Sequence, residues 1–183
     1  MNPLVLSVTI PSSVLQFQIG STEEIAQAPA AGIPELQPLN HYAGEWEDEI
    51  SGKPGMRRTE SAAWILQGRF LRQSWSAEQG DGSPTASGLT LMTFDTDRRL
   101  YRHWSFLATG SVIENEGVWD AATRTFSWGH RLTDTDDVVT TTASFAEEGT
   151  QAWSIVKTDA HGKVLREVTG RSRKKAVPTL QAA

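Results

Sequence analysis

The stretch LNHYAGEWEDEI, residues 39–50, decides the fold. Pro38, just before it, suits the first position of a helix, because the missing N–H would have no partner there in any case. Gly44 suits the end of that helix, and a strand pattern starts with Gly44, Glu45 and Trp46. The stretch therefore predicts a short helix that leads directly into the first strand of a sheet.

From this strand to residue 174, strand-like segments alternate with turns. Nearly every break contains glycine, proline or an aspartate-rich turn, as in SGKPG, QGDGSP and TDTD, and such residues end strands. The ten segments are GEWEDEI, RRTESAAWILQ, RFLRQSWSAE, SGLTLMTF, RLYRHWSF, SVIENEGVW, TRTFSWGHR, DVVTTTASFAE, TQAWSIVKT and KVLREVTGRSRK. A meander of that length closes into a barrel, because closure removes its exposed edges. The sequence therefore predicts an all-β fold, an up-and-down antiparallel barrel of about ten strands with a short N-terminal helix.

The chain divides into three parts. Residues 1–37 form an N-terminal arm and linker, residues 38–175 form the barrel, and residues 176–183 form a C-terminal tail. Within the arm, VLSVTI has a strand pattern, and Ser21 followed by Glu24 is the signature of a capping box at a helix start. Residues 1–33 of the arm are expected to be dispensable for folding. The alternatives are that these residues pair with the sheet, plug the open end of the barrel or are exchanged in a homodimer.

Composition and charge exclude several classes of protein. The 183 residues fit one domain, and the net charge of −5 argues against nucleic-acid binding. The basic run RSRKK is interpreted as a solvated strand end. The chain has no cysteine, which excludes disulfides, thiolate catalysis and thiolate metal sites. Apolar runs are too short for a membrane helix and the N-terminus lacks a basic signal region, so a cytoplasmic protein without a membrane partner is expected.

The helix followed by Gly-x-Trp resembles the start of the calycin barrels, the lipocalin and fatty-acid-binding group. The resemblance implies that the helix closes one end of the barrel and that Trp46, after Gly44, packs inside that closed end. In this group an arginine from a late strand often lies over the tryptophan. Arg171 or Arg173 is the candidate for that position, through a cation–π contact.

A closer resemblance covers roughly residues 34–174. Four segments agree in order and spacing with the bacterial family catalogued as domain of unknown function 1579. They are PELQPLNHYAGEW (34–46), LQGRFLRQSW (66–75), GLTLMTFDTDRRLYRHW (88–104) and EGVWD (116–120). The resemblance implies a calycin-like barrel and no established activity. Family members often carry Trp-x-Asp on the strand matching residues 99–106, whereas here no aspartate follows Trp104, so no role for that carboxylate is carried over.

Alternation sorts the strand TRTFSWGHR into two faces. Phe126, Trp128 and His130 share one face, and this face is expected to point inward because three large rings outside would form an exposed apolar patch. A two- or four-residue loop at DAAT pairs Trp119 with Arg124. Asn115 then faces inward beside Trp128, together with Ile113, Gly117 and Trp119, while Glu114 and Glu116 face solvent. A three-residue loop would reverse these faces.

Seven tryptophans, at 46, 64, 75, 104, 119, 128 and 153, either fill the core or line an apolar cavity. The candidate ligand-binding residues are Trp75, Tyr101, His103, Trp104, Asn115, Trp128 and His130. His130 is expected near a rim, where it can hold a polar ligand head or transfer a proton. The alternative is a histidine that only satisfies a neighbouring carbonyl.

The remaining motifs predict no cofactor. His103 and His130 belong to no zinc-ligand pattern, so no metal site is expected. The glycine-rich start of haem-binding calycins is absent, so no haem is expected. Arg72 faces outward if Leu71 and Trp75 face inward, and this arrangement is favoured. If Phe70 faces inward instead, Arg72 is interior and would bind an anion.

Three functions stay open after these steps. The first is a binding protein that holds a small apolar or amphipathic ligand in the barrel. The second is a cyclase or isomerase that folds a hydrophobic substrate against aromatic walls, with His103, His130 or Tyr101 as proton donor or acceptor. The third is a structural or oligomer-forming domain with a filled interior. Fold alone does not choose among them.

Overall fold

The structure is a computed structural model and describes residues 27–175. It contains one 3-10 helix and ten strands, numbered in chain order. They are the N-terminal helix (Pro34–Tyr42), β1 (Gly44–Ile50), β2 (Arg57–Ile65), β3 (Phe70–Glu78), β4 (Pro84–Asp95), β5 (Leu100–Leu107), β6 (Val112–Asp120), β7 (Thr125–Arg131), β8 (Val138–Ser144), β9 (Thr150–Thr158) and β10 (Val164–Lys174). Neighbouring strands pair antiparallel, and β1 pairs with β10, so the sheet closes. The predicted all-β, up-and-down antiparallel barrel is confirmed.

The N-terminal helix begins at Pro34, four residues before the predicted start at Pro38. It ends at Tyr42, and Gly44 then takes a positive φ of 110° as β1 begins. Leu36 and Leu39 are fully buried. The helix therefore closes one end of the barrel, as predicted, and this end is called the helix end below.

Part of the predicted arm packs on the barrel. The amide of Ala30 donates to the carbonyl of Gly68 at 3.0 Å, Gln27 forms a β-bridge with Trp64, and Ile33 is buried in the core. The last residues of the predicted arm therefore belong to the packed structure. The predicted VLSVTI strand, the capping-box helix at Ser21 and the C-terminal tail lie outside the described residues.

Trp46 lies inside the helix end, 2% exposed, and its Nε1 donates to the carbonyl of Tyr42 at 2.8 Å. The cation over its ring is Lys174, whose Nζ lies 5.6 Å from the ring centre. Arg171 was predicted for this position, but it is exposed on the outer face, opposite Glu49. Side chains alternate along β10, so Ser172 and Lys174 share the inner face while Arg171 and Arg173 point outward.

The pairing of β6 with β7 differs from the prediction by two residues. Trp119 lies opposite Phe126, not Arg124, because Asp120 and Thr125 form the last pair before the turn. The predicted inner faces are nevertheless observed, since a shift of two residues keeps every side chain on its side of the sheet. Asn115 and Gly117 are buried, while Glu114 and Glu116 are exposed.

Gly117 lies directly under the ring of Trp128, and a Cβ at this position would overlap the ring. Gly117→Ala is therefore expected to lower the free energy of unfolding by about 1–3 kcal/mol, because the tryptophan must shift inside a packed interior. Urea unfolding followed by circular dichroism measures the loss.

Gly129→Ala is the matched control on the neighbouring strand β7. A Cβ at Gly129 would meet only the carbonyl oxygen of Val139, at 3.8 Å, which is an ordinary contact. Equal stability of the two variants would contradict the close approach of Trp128 to Gly117.

Candidate functional site

The barrel interior is filled at the helix end and holds a cavity of about 90 Å³ beyond it. Met92, Trp128, Trp153 and Ile155 form its apolar wall. Glu60, Gln73, His103 and Gln151 form much of its polar wall. Ile155 lies in this wall and is still 37% exposed, so solvent reaches the interior from the end opposite the helix.

A cluster of buried charges lies beside the cavity. In the pairing of β1 with β2, Asp48 stands opposite Arg58, and Glu60 follows two residues later on the same inner face. Arg58 Nη2 lies 2.7 Å from Glu60 Oε1, and Arg58 Nη1 lies 3.6 Å from Asp48 Oδ2. Gln73 Nε2 donates to Glu60 Oε2, and the guanidinium stacks 4.7 Å from the ring of Trp75. Arg58 therefore forms ion pairs with both carboxyl groups.

The burial of Glu60 changes its protonation. Burial raises the pKa of Glu60, the charge of Arg58 opposes this, and the neighbouring Asp48 adds to it, so that the pKa is raised to about 7. The hydrogen bond from Gln73 acts in the opposite direction. Glu60 therefore exchanges a proton near neutral pH.

Several buried polar atoms around the cluster have no hydrogen-bond partner among the described residues. They include both carboxylate oxygens of Asp48, the hydroxyl of Ser172 and Nε1 of Trp153. Asp48 is 5% exposed and Ser172 is 1% exposed. A buried polar group without a partner costs about 1–3 kcal/mol, so native proteins satisfy most of them with a protein group, water or a ligand.

Two histidines, His103 on β5 and His130 on β7, lie on the inner face of the barrel. His103 Nε2 is 2.8 Å from Ser105 Oγ, while its Nδ1 is buried without a partner in the described structure. Burial, with a smaller effect of the neighbouring His130, lowers the pKa of His103 to about 4. His103 is therefore neutral at pH 7. His130 Nδ1 donates to Asn115 Oδ1 at 2.7 Å, and partial burial lowers its pKa.

The structure places the predicted ligand-binding residues in three environments. Only His103 and Trp128 line the cavity. Asn115 and His130 bond each other on the inner face. The other three residues are Trp75, Tyr101 and Trp104.

These three residues do not line the cavity. Trp75 stacks against Arg58. Tyr101 donates its hydroxyl proton to the carbonyl of Glu35 at 2.7 Å, so it fastens the helix. Trp104 was predicted in the site but lies on the outer face, where the guanidinium of Arg102 is 4.8 Å from its ring. Adjacent residues in a strand point to opposite faces, so His103 and Trp104 cannot both face inward.

The prediction missed the carboxyl cluster, although alternation carried a signal for it. Glu60 shares its face with Ala62 and Trp64, and Asp48 shares its face with Trp46, so both acids fall on inward faces. Arg72 lies on the face opposite Leu71 and Gln73, which is the favoured arrangement.

Comparisons with known proteins support the fold. The crystal structure of Rv2717c from M. tuberculosis is similar, with a TM-score of 0.59 and 12% sequence identity, over 79% of this chain and 99% of that chain. At this identity the likeness shows the fold alone. No protein-family model matches the sequence, and no curated protein matches it either.

Two further properties concern the described residues. Among residues 27–175, no helix is long and apolar enough to cross a membrane. Within the same range, no three histidine, aspartate or glutamate side chains are grouped closely enough to hold a metal ion.

Proposed function

We propose that the barrel binds a small amphipathic molecule in the interior cavity. The observation that carries this proposal is the composition of the wall, where polar side chains, among them Glu60, Gln73 and Gln151, line one space together with apolar side chains. Ligand sites typically have this composition. The resemblance to calycin barrels, which include the lipocalin and fatty-acid-binding group, supports the same function.

The size of the cavity limits the ligand. A volume of about 90 Å³ corresponds to about three water molecules. It is well below the roughly 300–1,000 Å³ of sites for drug-sized ligands. The enclosed part of the ligand is therefore a few non-hydrogen atoms, and any longer part extends through the open end.

The size also favours binding over the enzyme alternative. A cyclase or isomerase must enclose a hydrophobic substrate, and the cavity is too small for one. Tyr101, one of the candidate proton donors, is bonded to the helix and does not reach the cavity. A purely structural role explains the filled helix end, but it does not explain why polar side chains line the cavity.

Thr141→Leu tests the proposal, because Thr141 lines the cavity and leucine adds volume there. Short straight-chain alcohols, amines and carboxylic acids are titrated by ligand-observed NMR and by tryptophan fluorescence, to which Trp128 and Trp153 in the cavity wall contribute. At least one of these compounds is expected to bind the wild type. The variant is expected to bind it about tenfold more weakly, since overpacking of 1–3 kcal/mol opposes the ligand.

Thr140→Leu is the matched control, because Thr140 is exposed on the outer face of the same strand. It is expected to bind like the wild type. Equal weakening in both variants, or no binding of any compound to the wild type, would contradict a ligand site in the cavity.

A further inference from the structure

The buried charges in and beside the cavity wall do not balance. Asp48 and Glu60 are both buried carboxyl groups, and Arg58 is the guanidinium that contacts both. With both acids ionised, the three groups carry two negative charges and one positive charge. Unpaired buried charge is unfavourable, so the cluster takes up either a proton or another cation.

We infer that the cavity selects a cationic ligand, a primary ammonium or guanidinium group on a short apolar stem, with its head held by Glu60 and its apolar part against Trp128 and Met92. This inference rests on the proposed function and specifies its ligand class. The side-chain carbonyls of Gln73 and Gln151, which line the same cavity, are further acceptors for the N–H groups of such a head.

The unpartnered atoms beside Glu60 point to the same class of ligand. The two Asp48 oxygens, less than a tenth exposed, accept no hydrogen bond within the described part of the chain. A carboxylate can only accept, so these atoms need a donor. A protonated Glu60 can supply one donor. A guanidinium or ammonium group bound at Glu60 brings several.

The opposite ligand class is disfavoured by the same geometry. An anion entering the cavity would approach Glu60 and Asp48, and Arg58 already lies between these two groups. His103 adds no positive charge, because its pKa is lowered to about 4. Lys174 is solvent-exposed over Trp46 at the helix end and does not line the cavity.

The inference also predicts a pH dependence. The titratable and charged groups that line the cavity are Tyr42, Arg58, Glu60 and His103, with Asp48 and His130 adjacent. Burial raises the pKa of Tyr42, and both histidine pKa values are lowered. Glu60, with a pKa of about 7, is the group on which cation binding depends. A cation binds best to ionised Glu60, so binding releases up to one proton to solvent and weakens as pH falls below 7.

The test compares four probes of equal chain length by isothermal titration calorimetry: a short alkylguanidine, an alkylamine, a neutral alkylurea and an alkyl carboxylate. At pH 8 the two cations are expected to bind the wild type at least about tenfold more tightly than the urea or the carboxylate. Between pH 7 and pH 6 their affinity is expected to fall by up to about tenfold. Titrations in two buffers with different ionisation enthalpies measure the proton release.

Glu60→Gln keeps the shape and removes the charge. It is expected to bind the cations about tenfold more weakly and to lose the pH dependence. Glu49→Gln, an exposed position on the outer face of β1, is expected to match the wild type. Thermal melting checks that each variant is folded, and the wild-type proton release requires no variant at all.

The outcomes separate the two levels of the proposal. Binding of the urea or the carboxylate as tightly as the cations would overturn the cationic selectivity and leave the cavity as a ligand site. Cation binding that is unchanged in Glu60→Gln would also overturn it. No binding of any of the four probes would overturn both the selectivity and the proposed function.

Discussion

Trp46→Ala is expected to lower the free energy of unfolding by about 3–5 kcal/mol, because truncating a buried tryptophan leaves a cavity that the surroundings cannot fill. The ring is 2% exposed and packs edge-on against Phe145, with ring centroids 6.4 Å apart. Its Nε1 also fastens the N-terminal helix through the carbonyl of Tyr42. The variant therefore loses core packing and a contact between helix and barrel together.

Trp104→Ala is the matched control, since it removes the same side chain from the outer face. This variant loses the contact between Trp104 and the guanidinium of Arg102, which contributes about 0.5–1 kcal/mol at an exposed site. Urea unfolding followed by far-ultraviolet circular dichroism measures both losses. A loss below about 1 kcal/mol for Trp46→Ala, with the fold retained, would show that this tryptophan does not close the barrel.

The positions of the strands are readable from the sequence because the turns carry their own chemistry. β1 and β9 have the predicted bounds, Gly44–Ile50 and Thr150–Thr158. The breaks beside them contain glycine, which adopts positive φ in turns, as Gly52 and Gly149 do. These signals are local, so one sequence is enough to find them.

The faces are also predictable, but the register is not. Alternation correctly places Asn115 and Gly117 inside, although the predicted partner of Trp119 is wrong by two residues. An even shift does not change which face a side chain takes. The partner depends on how many residues the DAAT turn uses, and its composition does not specify that number.

The carboxyl cluster was not predicted because its chemistry arises from contacts between strands. GEWEDEI looks like a solvated acidic strand, and only the pairing with β2 places Arg58 beside Asp48 in a closed interior. The cation over the ring of Trp46, which comes from the last strand, was mispredicted for a similar reason. Several basic residues end β10, and alternation together with the pairing to β1 selects Lys174 over Arg171.

Glu60→Gln and His103→Gln are expected to give opposite dependences of stability on pH. The pKa of Glu60 is raised from 4.5 to about 7, so between these values the folded protein keeps a proton that the unfolded chain has lost. The contribution of Glu60 is therefore present below pH 4.5 and is lost as pH rises to 7. It amounts to about 3 kcal/mol.

His103 acts in the opposite direction. Its pKa is lowered from 6.5 to about 4, so between these values the unfolded chain binds a proton that the folded protein does not. The contribution of His103 is present above pH 6.5 and is lost as pH falls to 4, again about 3 kcal/mol. Between about pH 4.5 and 6.5 the two contributions cancel in the wild type.

Urea unfolding at pH 4.5 and pH 6.5 measures the imbalance that each substitution creates. Relative to wild type, Glu60→Gln is expected to lose about 2–3 kcal/mol on going from pH 6.5 to 4.5, because the His103 effect is no longer offset. Relative to wild type, His103→Gln is expected to lose a similar free energy of unfolding when the pH rises from 4.5 to 6.5, because the Glu60 effect is no longer offset. His161→Gln, at an exposed turn position, provides the control and should follow the wild type. Parallel pH profiles for all four proteins would contradict the burial of Glu60 and His103 in the wall of one cavity.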